Sequence, residues 1–241
     1  MPPLSPLTAF LLQRDHLLLP GTPPLTLHRI CFDAAAFTPA CFAAHDMALP
    51  ASLQRAAPKR LGEFLAGRLA AREALRPFGL AGNGVAIGSA REPLWPLGME
   101  GSISHSQLAG QGVALCGVRP AQGGMGLDLE AWLGPEQGNQ LWPGIVDEDE
   151  WGRLEAGARA LGLDRARGLT LVFSAKESLF KALHPRVGRY FDFLDARWLG
   201  MTAQSLTLEL KVPLTPTLPA GWRCTLHWQS LPGGVLTTLL L

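Results

Sequence analysis

Two acidic side chains stand one residue apart in the segment Met125–Glu130, where Asp128 and Glu130 flank Leu129. In an extended strand alternate side chains share a face, so both carboxylates point the same way. Mg²⁺ favours oxygen ligands of this kind and completes its coordination with water and phosphate oxygens. The spacing therefore fits a metal site that receives phosphate. Taken alone, so short a motif more often marks two charges on a solvent-facing strand edge.

A segment further along the chain adds a third carboxylate. Apolar residues recur at three- and four-residue spacing from Leu169 to Leu183, which predicts an amphipathic helix. Lys176 lies within the apolar stripe, where it must snorkel or meet an anion because a buried unpaired ammonium is costly. Glu177 lies at the edge of the stripe, with Lys181 one turn further on. A surface ion pair also accounts for these two residues, but it leaves Lys176 unexplained.

Composition sets the outer limits. The chain has 241 residues, 47% hydrophobic and 17% charged, so it can bury a substantial core as one domain or two small ones. A net charge of +1 gives no general electrostatic case for binding nucleic acid or an anionic membrane. No apolar run approaches the roughly twenty residues of a membrane span.

The cysteines and the first residues bear on the compartment. Cys31, Cys41, Cys116 and Cys224 are scattered without ligand spacing, so neither a zinc site nor a disulfide framework is indicated. Free thiols are typical of a reducing cytoplasm. The first residues lack the basic segment of a signal peptide, so we expect none and predict a cytoplasmic protein.

A second helix is predicted from the apolar residues between Leu61 and Leu75. Arg60, Arg68 and Arg72 are separated by multiples of four, so they follow one side of this helix. A solvated helix face and an anion-binding face both account for that arrangement.

The segment 101–106, Gly-Ser-Ile-Ser-His-Ser, is expected to form a loop. Small side chains let backbone N–H groups approach a phosphate, and His105 can donate a hydrogen bond to a phosphate oxygen. A histidine between serines is, however, more often structural. A buried strand is predicted at 112–118 and another at 125–130, with residues 119–124 as the joint between two halves of the chain.

The remaining segments are read from alternation and turn residues. Residues 205–211, 224–228 and 235–240 alternate apolar and polar side chains and are predicted to form three strands of an antiparallel sheet. Residues 1–58 are hard to read, apart from a turn or loop at Pro20–Pro24.

Five motifs in this order resemble those of 4′-phosphopantetheinyl transferases. They are Arg60…Glu63-Phe64…Gly67-Arg68, Glu92-Pro93-x-Trp95-Pro96, Gly101-Ser102-Ile103-Ser104-His105, Gly126-Leu127-Asp128-Leu129-Glu130 and Phe173-Ser174-Ala175-Lys176-Glu177-Ser178-x-Phe180-Lys181-Ala182. The resemblance covers residues 59 to about 195. It is strongest to the branch that serves siderophore and other nonribosomal peptide synthases, the enterobactin synthase component D type.

The resemblance implies an α+β fold in which one chain forms two similar halves related by a pseudo-twofold axis. Each half would have a small, largely antiparallel sheet packed on helices, with the active site in the cleft between them. The halves are predicted to span residues 1–119 and 120–241. The implied reaction moves 4′-phosphopantetheine from coenzyme A to a serine hydroxyl of a carrier domain and releases adenosine 3′,5′-bisphosphate.

The resemblance also implies roles for individual residues. Asp128, Glu130 and Glu177 would hold Mg²⁺ against the pyrophosphate. Glu177 would also act as the general base, with His105 as the second choice. Seven residues are assigned to coenzyme A: Arg60, Arg68, Arg91, Ser104, His105, Lys176 and Lys181. Among these the two arginines of the helix would clamp the 3′-phosphate, Arg91 would lie at the adenosine end, and the others would meet the diphosphate.

The implied partner is an acidic, helical acyl, peptidyl or aryl carrier domain, with no nucleic acid and no membrane, and the enzyme would be a monomer. Two other functions use the same residues. A metal-dependent hydrolase would cleave coenzyme A-like diphosphates without a protein acceptor. A non-enzymatic coenzyme A-binding protein would carry the acidic residues as surface charges.

Overall fold

The computed structural model describes residues 9–20, 24–82 and 84–241. Residues 1–8, at the start weighed for a signal peptide, and residues 21–23, in the predicted turn at Pro20–Pro24, lie outside the described residues. The chain divides into two compact units, Met1–Ala121 and Gln122–Leu241. Each unit has its own sheet and its own apolar core.

Unit 1 is built on a four-stranded antiparallel sheet with the order β1-β2-β6-β5. Its strands are β1 (Leu11–Leu19), β2 (Leu25–Phe32), β5 (Met99–Leu108) and β6 (Gln111–Pro120), and a separate pair joins β3 (Ala86–Ile87) to β4 (Pro93–Leu94). Its helices are α1 (Ala40–Ala44) and α2 (Pro58–Leu75), with short 3₁₀ turns at Ala34–Ala36, Ala51–Leu53 and Arg76–Phe78.

Helix α2 forms the main packing partner of this sheet. Pro58 occupies its first turn, where the missing N–H has no helical partner to lose. Leu65, Leu69 and Leu75 are fully buried in the core of unit 1, as the apolar spacing requires. The helix ends at Leu75 and is followed by the 3₁₀ turn Arg76–Phe78. Gly79, at φ +72°, closes this turn in a left-handed conformation. Among the arginines of α2, Arg60 is exposed, whereas Arg68 and Arg72 are half-buried.

Unit 2 is built on a five-stranded antiparallel sheet with the order β7-β11-β10-β9-β8. Its strands are β7 (Met125–Ala131), β8 (Ala196–Met201), β9 (Ser205–Leu210), β10 (Arg223–Leu231) and β11 (Gly234–Leu240). Its helices are α3 (Pro135–Leu141), α4 (Glu148–Arg159) and α5 (Arg165–Val187), with 3₁₀ turns at Trp142–Gly144 and Phe193–Asp195.

Helix α5 lies unusually close to β7 and β11. A Cβ on Gly126 would lie 1.8 Å from the carbonyl oxygen of Ser178, so only glycine fits at this position. The hydroxyls of Ser174 and Ser178 lie 2.9 and 2.8 Å from Oγ1 of Thr237 on β11. The Asp164 side chain caps the first turn by accepting from the backbone N–H of Arg167. These contacts fix the helix against the strand that carries Asp128.

The structure confirms a mixed fold of antiparallel sheets and helices, whereas the pseudo-twofold relation of the halves stays a prediction. The expected loop at 101–106 is wrong, because these residues lie within β5 and pair with β6 along its whole length. Ser102 and Ser104 are buried there, so the alternating small side chains serve a strand. All four cysteines are free and buried. None of the helices in the described part of the chain is long and apolar enough to cross a membrane.

Candidate active site

The acidic cluster of unit 2 is formed by β7 and α5. Asp128 is 2% exposed on β7, and its Oδ1 accepts a hydrogen bond of 2.6 Å from Nζ of Lys181 on α5. The ammonium thus pairs with a carboxylate 53 residues distant in sequence, a contact that helical spacing cannot indicate. A buried carboxylate without a countercharge is costly, and Lys181 supplies that charge.

Glu130 and Glu177 share the electrostatic environment of Asp128. Burial raises the pKa of Glu130 from 4.5 to about 8, helped by the charges of Asp128 and Glu177 and opposed by Lys181. Burial also raises the pKa of Glu177, with Lys181 lowering it and Asp128 raising it. The structure therefore brings the three predicted carboxylates close enough for their charges to repel one another.

The donor chemistry of this cluster fits a hard divalent cation. It consists of carboxylate oxygens, and a cation would offset both the burial and the neighbouring negative charges that raise the pKa of Glu130. The ligand geometry is not preassembled, because among the described residues no three His, Cys, Asp or Glu side chains converge as a metal-binding group. A cation that binds Oδ1 of Asp128 must also compete with Lys181.

An apolar cavity of about 260 Å³ lies beside Glu130 within unit 2. Its walls include Ile145, Phe173 and Phe193. Apolar walls cannot solvate a charge, so they favour the neutral form of a carboxyl beside them. The cavity also offers room for an apolar part of a ligand next to the acidic cluster.

Lys176 lies away from the acidic cluster. Its ammonium is buried, donates to the carbonyl oxygen of Ile145 at 2.7 Å, and lies 3.3 Å from a carboxylate oxygen of Glu150. Desolvation lowers the pKa of Lys176, and the charge of Glu150 partly offsets this effect. An ammonium in the apolar stripe does meet an anion, but that anion is Glu150, where the resemblance implied a diphosphate.

In unit 1, His105 on β5 lies next to residues of α2. Its Nε2 is 2.9 Å from Nη1 of Arg60, and its Nδ1 is 3.7 Å from Oε2 of Glu63. A guanidinium has no acceptor, so Nε2 accepts and the ring proton is on Nδ1, toward Glu63. Glu63 also lies 4.0 Å from Nη1 of Arg60. The imidazole is thus oriented by two charged side chains of α2.

Arg68 lines a larger cavity of about 760 Å³ within unit 1. Its guanidinium stacks 4.7 Å from the ring centroid of Phe64, and Nη2 makes a long contact of 3.4 Å to the carbonyl oxygen of Ala86. Burial lowers the pKa of Arg68 to about 10, so it stays charged at neutral pH. Its Nε is buried with no hydrogen-bond partner among the described residues. A half-buried guanidinium in a mostly apolar cavity is suited to an anionic ligand with apolar parts.

The other predicted ligands are placed less centrally. Ser104 is buried within β5, next in sequence to His105. Arg91 is exposed, and its φ of +67° is a left-handed conformation that few residues other than glycine adopt. Of the two arginines predicted to form a clamp, Arg60 contacts His105 whereas Arg68 lines the cavity.

Models of known protein families match both units in chain order. Residues 49–115 match the 4′-phosphopantetheinyl transferase N-terminal domain, and residues 124–232 match the 4′-phosphopantetheinyl transferase superfamily. An enterobactin synthase component D from Salmonella typhimurium is 36% identical over 214 residues, which cover 88% of this chain and 84% of that protein. The chain belongs to the 4′-phosphopantetheinyl transferase superfamily. This membership confirms the resemblance drawn from the five motifs.

Other members of the superfamily show a similar extent of likeness. An enterobactin synthase component D from Escherichia coli O157:H7 is 40% identical over 207 residues, covering 85% of this chain and 87% of that protein. A 4′-phosphopantetheinyl transferase from Mycobacterium tuberculosis is 31% identical over 198 residues, which cover 78% of this chain and 75% of that protein. Enzymes of this superfamily use coenzyme A as substrate, typically with a divalent metal.

Two residues at these sites were given no ligand or structural role from the sequence. Arg72 lines the larger cavity beside Arg68 and donates to the carbonyl oxygen of His45 at 2.7 Å. The sequence placed Arg72 on the same side of α2 as Arg60 and Arg68, but it could not show which groups the side chain contacts. Glu150 is 1% exposed. Its sequence signal is the capping box that it forms with Asp147 at the start of α4.

Proposed function

We propose that this 4′-phosphopantetheinyl transferase transfers the phosphopantetheine arm of coenzyme A to a serine of an apo carrier domain of a nonribosomal peptide or polyketide synthase. The observation that carries the proposal is the match of both units, in order, to the two domains of one transferase family. The names of the relatives from Salmonella and Escherichia favour a siderophore synthase as the source of the carrier.

The acidic cluster is assigned to the divalent cation. Asp128, Glu130 and Glu177 would hold Mg²⁺, which neutralises the diphosphate and stabilises the leaving oxygen. Lys181 already lies at this cluster and would contact the diphosphate when the cation takes over Asp128. The raised pKa of Glu130, caused mainly by burial and next by the charge of Asp128, supports the assignment, because a bound cation would stabilise the carboxylate that burial disfavours.

The nucleotide end of coenzyme A is assigned to unit 1. The half-buried guanidinium of Arg68 would receive the 3′-phosphate within the large cavity, whose remaining walls are mostly apolar and suit the adenine base. Arg60 and His105 would meet phosphate oxygens, with Ser104 beside them, and Arg91 would lie near the adenosine. The apolar cavity beside Glu130 is assigned to the pantetheine arm.

The reaction is a displacement at the phosphorus that carries the pantetheine. The serine Oγ of the carrier forms a bond to this phosphorus, and the bond to the bridging oxygen breaks to release adenosine 3′,5′-bisphosphate. The serine proton passes to Glu177, with His105 as the second choice. A carboxylate that holds a cation is a weaker base than a free one, so the pH profile of Glu177→Gln decides between these two.

The deciding experiment is the intact mass of an apo carrier domain after incubation with this protein, coenzyme A and Mg²⁺. We expect a gain of roughly 340 Da, the composition of one phosphopantetheine unit, that disappears when EDTA is added. Consumption of coenzyme A without a gain on any of several carriers would favour the hydrolase. Intact coenzyme A and unmodified carriers would overturn the transfer. Cytoplasmic location and a monomeric state stay predictions.

A further inference from the structure

Unit 2 contains a buried ion pair that takes no part in the assignments above. Lys176 and Glu150 have side chains that are each 1% exposed, and their charged atoms lie 3.3 Å apart. An apolar pair of similar volume commonly stabilises a core as well as or better than a buried ion pair. Stability alone therefore does not explain why a lysine and a glutamate occupy this position.

The pair connects three parts of unit 2 through directional hydrogen bonds: strand β8, helix α5 and the segment 145–150 at the start of α4. Oε1 of Glu150 accepts from the backbone N–H of Trp198 on β8 at 2.7 Å. Oε2 accepts from the backbone N–H of Asp147 at the start of α4 at 3.1 Å. Lys176 on α5 completes the group by donating to the carbonyl oxygen of Ile145 at 2.7 Å. Hydrogen bonds of this kind fix orientation, which apolar contacts do much less.

The orientation that they fix is that of α5. Successive side chains of a helix leave it about 100° apart, so the direction of Lys176 determines the direction of Glu177. A second set of contacts, from Ser174 and Ser178 to Thr237, holds the same helix on β11. The helix is thus prevented from rotating by polar contacts on two of its sides.

We propose that Lys176 and Glu150 are positioning residues that set the rotation of α5 and thereby direct Glu177 toward Asp128 and Glu130. Lys176 then acts through Glu177 and has no contact with coenzyme A. This inference rests on the proposed function, because the consequence of misplacing Glu177 is a weakened cation site.

Three variants test the inference: Glu150→Gln, Lys176→Met and the double variant. The double variant matters because Lys176→Met leaves a buried carboxylate that alone can prevent folding. Leu226→Ala is the control, since it removes fully buried apolar atoms from the same core without touching the ion pair. Thermal midpoints establish that each variant is folded and that the control loses comparable stability.

The first measurement is the affinity for Mn²⁺, determined by electron paramagnetic resonance with saturating coenzyme A and no carrier. The second is the separation of kcat from the KM for coenzyme A in carrier modification. We expect the pair variants to bind Mn²⁺ about ten-fold more weakly and to lose kcat, as outer-shell changes at metal sites do. Their KM for coenzyme A should stay within about two-fold of the wild type. The variants leave in place the contacts to coenzyme A that are equally strong in the ground state and the transition state. The control should keep the wild-type Mn²⁺ affinity.

Either of two results overturns the inference. Wild-type Mn²⁺ affinity in folded Glu150→Gln would show that the pair does not position Glu177. A KM for coenzyme A that rises in Lys176→Met but not in Glu150→Gln would make Lys176 a substrate ligand. A wild-type protein that modifies no carrier would instead contradict the proposed function, and the Mn²⁺ titration would still decide the role of the pair.

Discussion

Nζ of Lys181 lies 2.6 Å from Oδ1 of Asp128, so the acidic cluster contains a cation supplied by the protein itself. The lysine side chain is 25% exposed and the aspartate side chain 3%, which places the ammonium between the buried carboxylate and solvent. A divalent cation that binds Asp128 must compete with this ammonium. Under the proposed assignment, the metal-free and metal-bound states would differ in which charge neutralises Asp128.

Replacing Lys181 by methionine should destabilise the metal-free protein. The change leaves Asp128 buried without the ammonium of Lys181. We therefore expect the free energy of unfolding to fall by about 1–3 kcal/mol. Urea denaturation in EDTA at pH 7 measures this loss. The matched control is Lys211→Met, whose 2.9 Å pair with Asp147 is 34% exposed on both sides and should cost less than about 1 kcal/mol. Equal losses in the two variants would contradict a special role for Lys181.

Stability in EDTA should depend on pH through Glu130. Its pKa is about 8 in the folded protein and 4.5 ordinarily, so the folded state holds the proton more tightly. The contribution of this group to stability is complete below pH 4.5 and is lost as the pH rises to about 8. The side chain of Glu130→Gln cannot lose a proton. As the pH rises across this window, the free energy of unfolding of the variant should therefore increase relative to that of the wild type, by on the order of 2–4 kcal/mol. Urea denaturation at several pH values checks this, and a constant difference between the two proteins would refute it.

Alanine at position 126 should displace α5. The added Cβ would lie 1.8 Å from the Ser178 carbonyl oxygen, and backbone atoms of a packed helix cannot yield as a flexible side chain does. We expect a loss of roughly 3 kcal/mol or more and little remaining transfer activity. Gly152→Ala, in α4 with open space around the added carbon, should instead raise stability by about 0.5–1 kcal/mol. Thermal unfolding of both variants provides the comparison.

Arg68→Lys should weaken the use of coenzyme A by removing the guanidinium fork from the cavity. We expect the KM for coenzyme A to rise about ten-fold, because lysine meets a phosphate only as a point charge. With 3′-dephospho-coenzyme A the wild type and the variant should differ much less. The control is Arg76→Lys, an exposed arginine paired with Glu73 at the end of the same helix. A ten-fold effect that persists without the 3′-phosphate would assign Arg68 to another part of the ligand.

Local patterns in the sequence predicted much of the fold. The apolar spacing of α2 and α5 and the alternation in β7, β9, β10 and β11 placed these elements within a few residues of their observed bounds. Strands β1 and β2 were not predicted; in β1 the exposed apolar residues Leu12 and Leu18 obscure the alternation. The serines and glycine of β5 were taken for a loop because they have low strand propensity, which pairing with β6 overrides.

The sequence named candidate residues for the site, but it did not predict the contacts between them. Spacing places Asp128 and Glu130 on one strand, but it cannot show that Lys181 reaches across from α5. The requirement for an anion near Lys176 followed from the cost of burying an ammonium. The identity of that anion depends on how α4 packs against α5, since Glu150 lies 26 residues earlier in the chain.

The pairing of β7 with β11 also has a consequence for biosynthesis. Asp128 lies opposite Thr237 in this ladder, so the two partners are separated by about a hundred residues of chain. During translation the strand that carries the carboxylates emerges early and cannot join this ladder until residues 234–240 have left the ribosome. The hydroxyl of Thr237 that holds α5 arrives at the same moment. Nascent chains shorter than this therefore lack the ladder that places Asp128, however much of unit 1 has already folded.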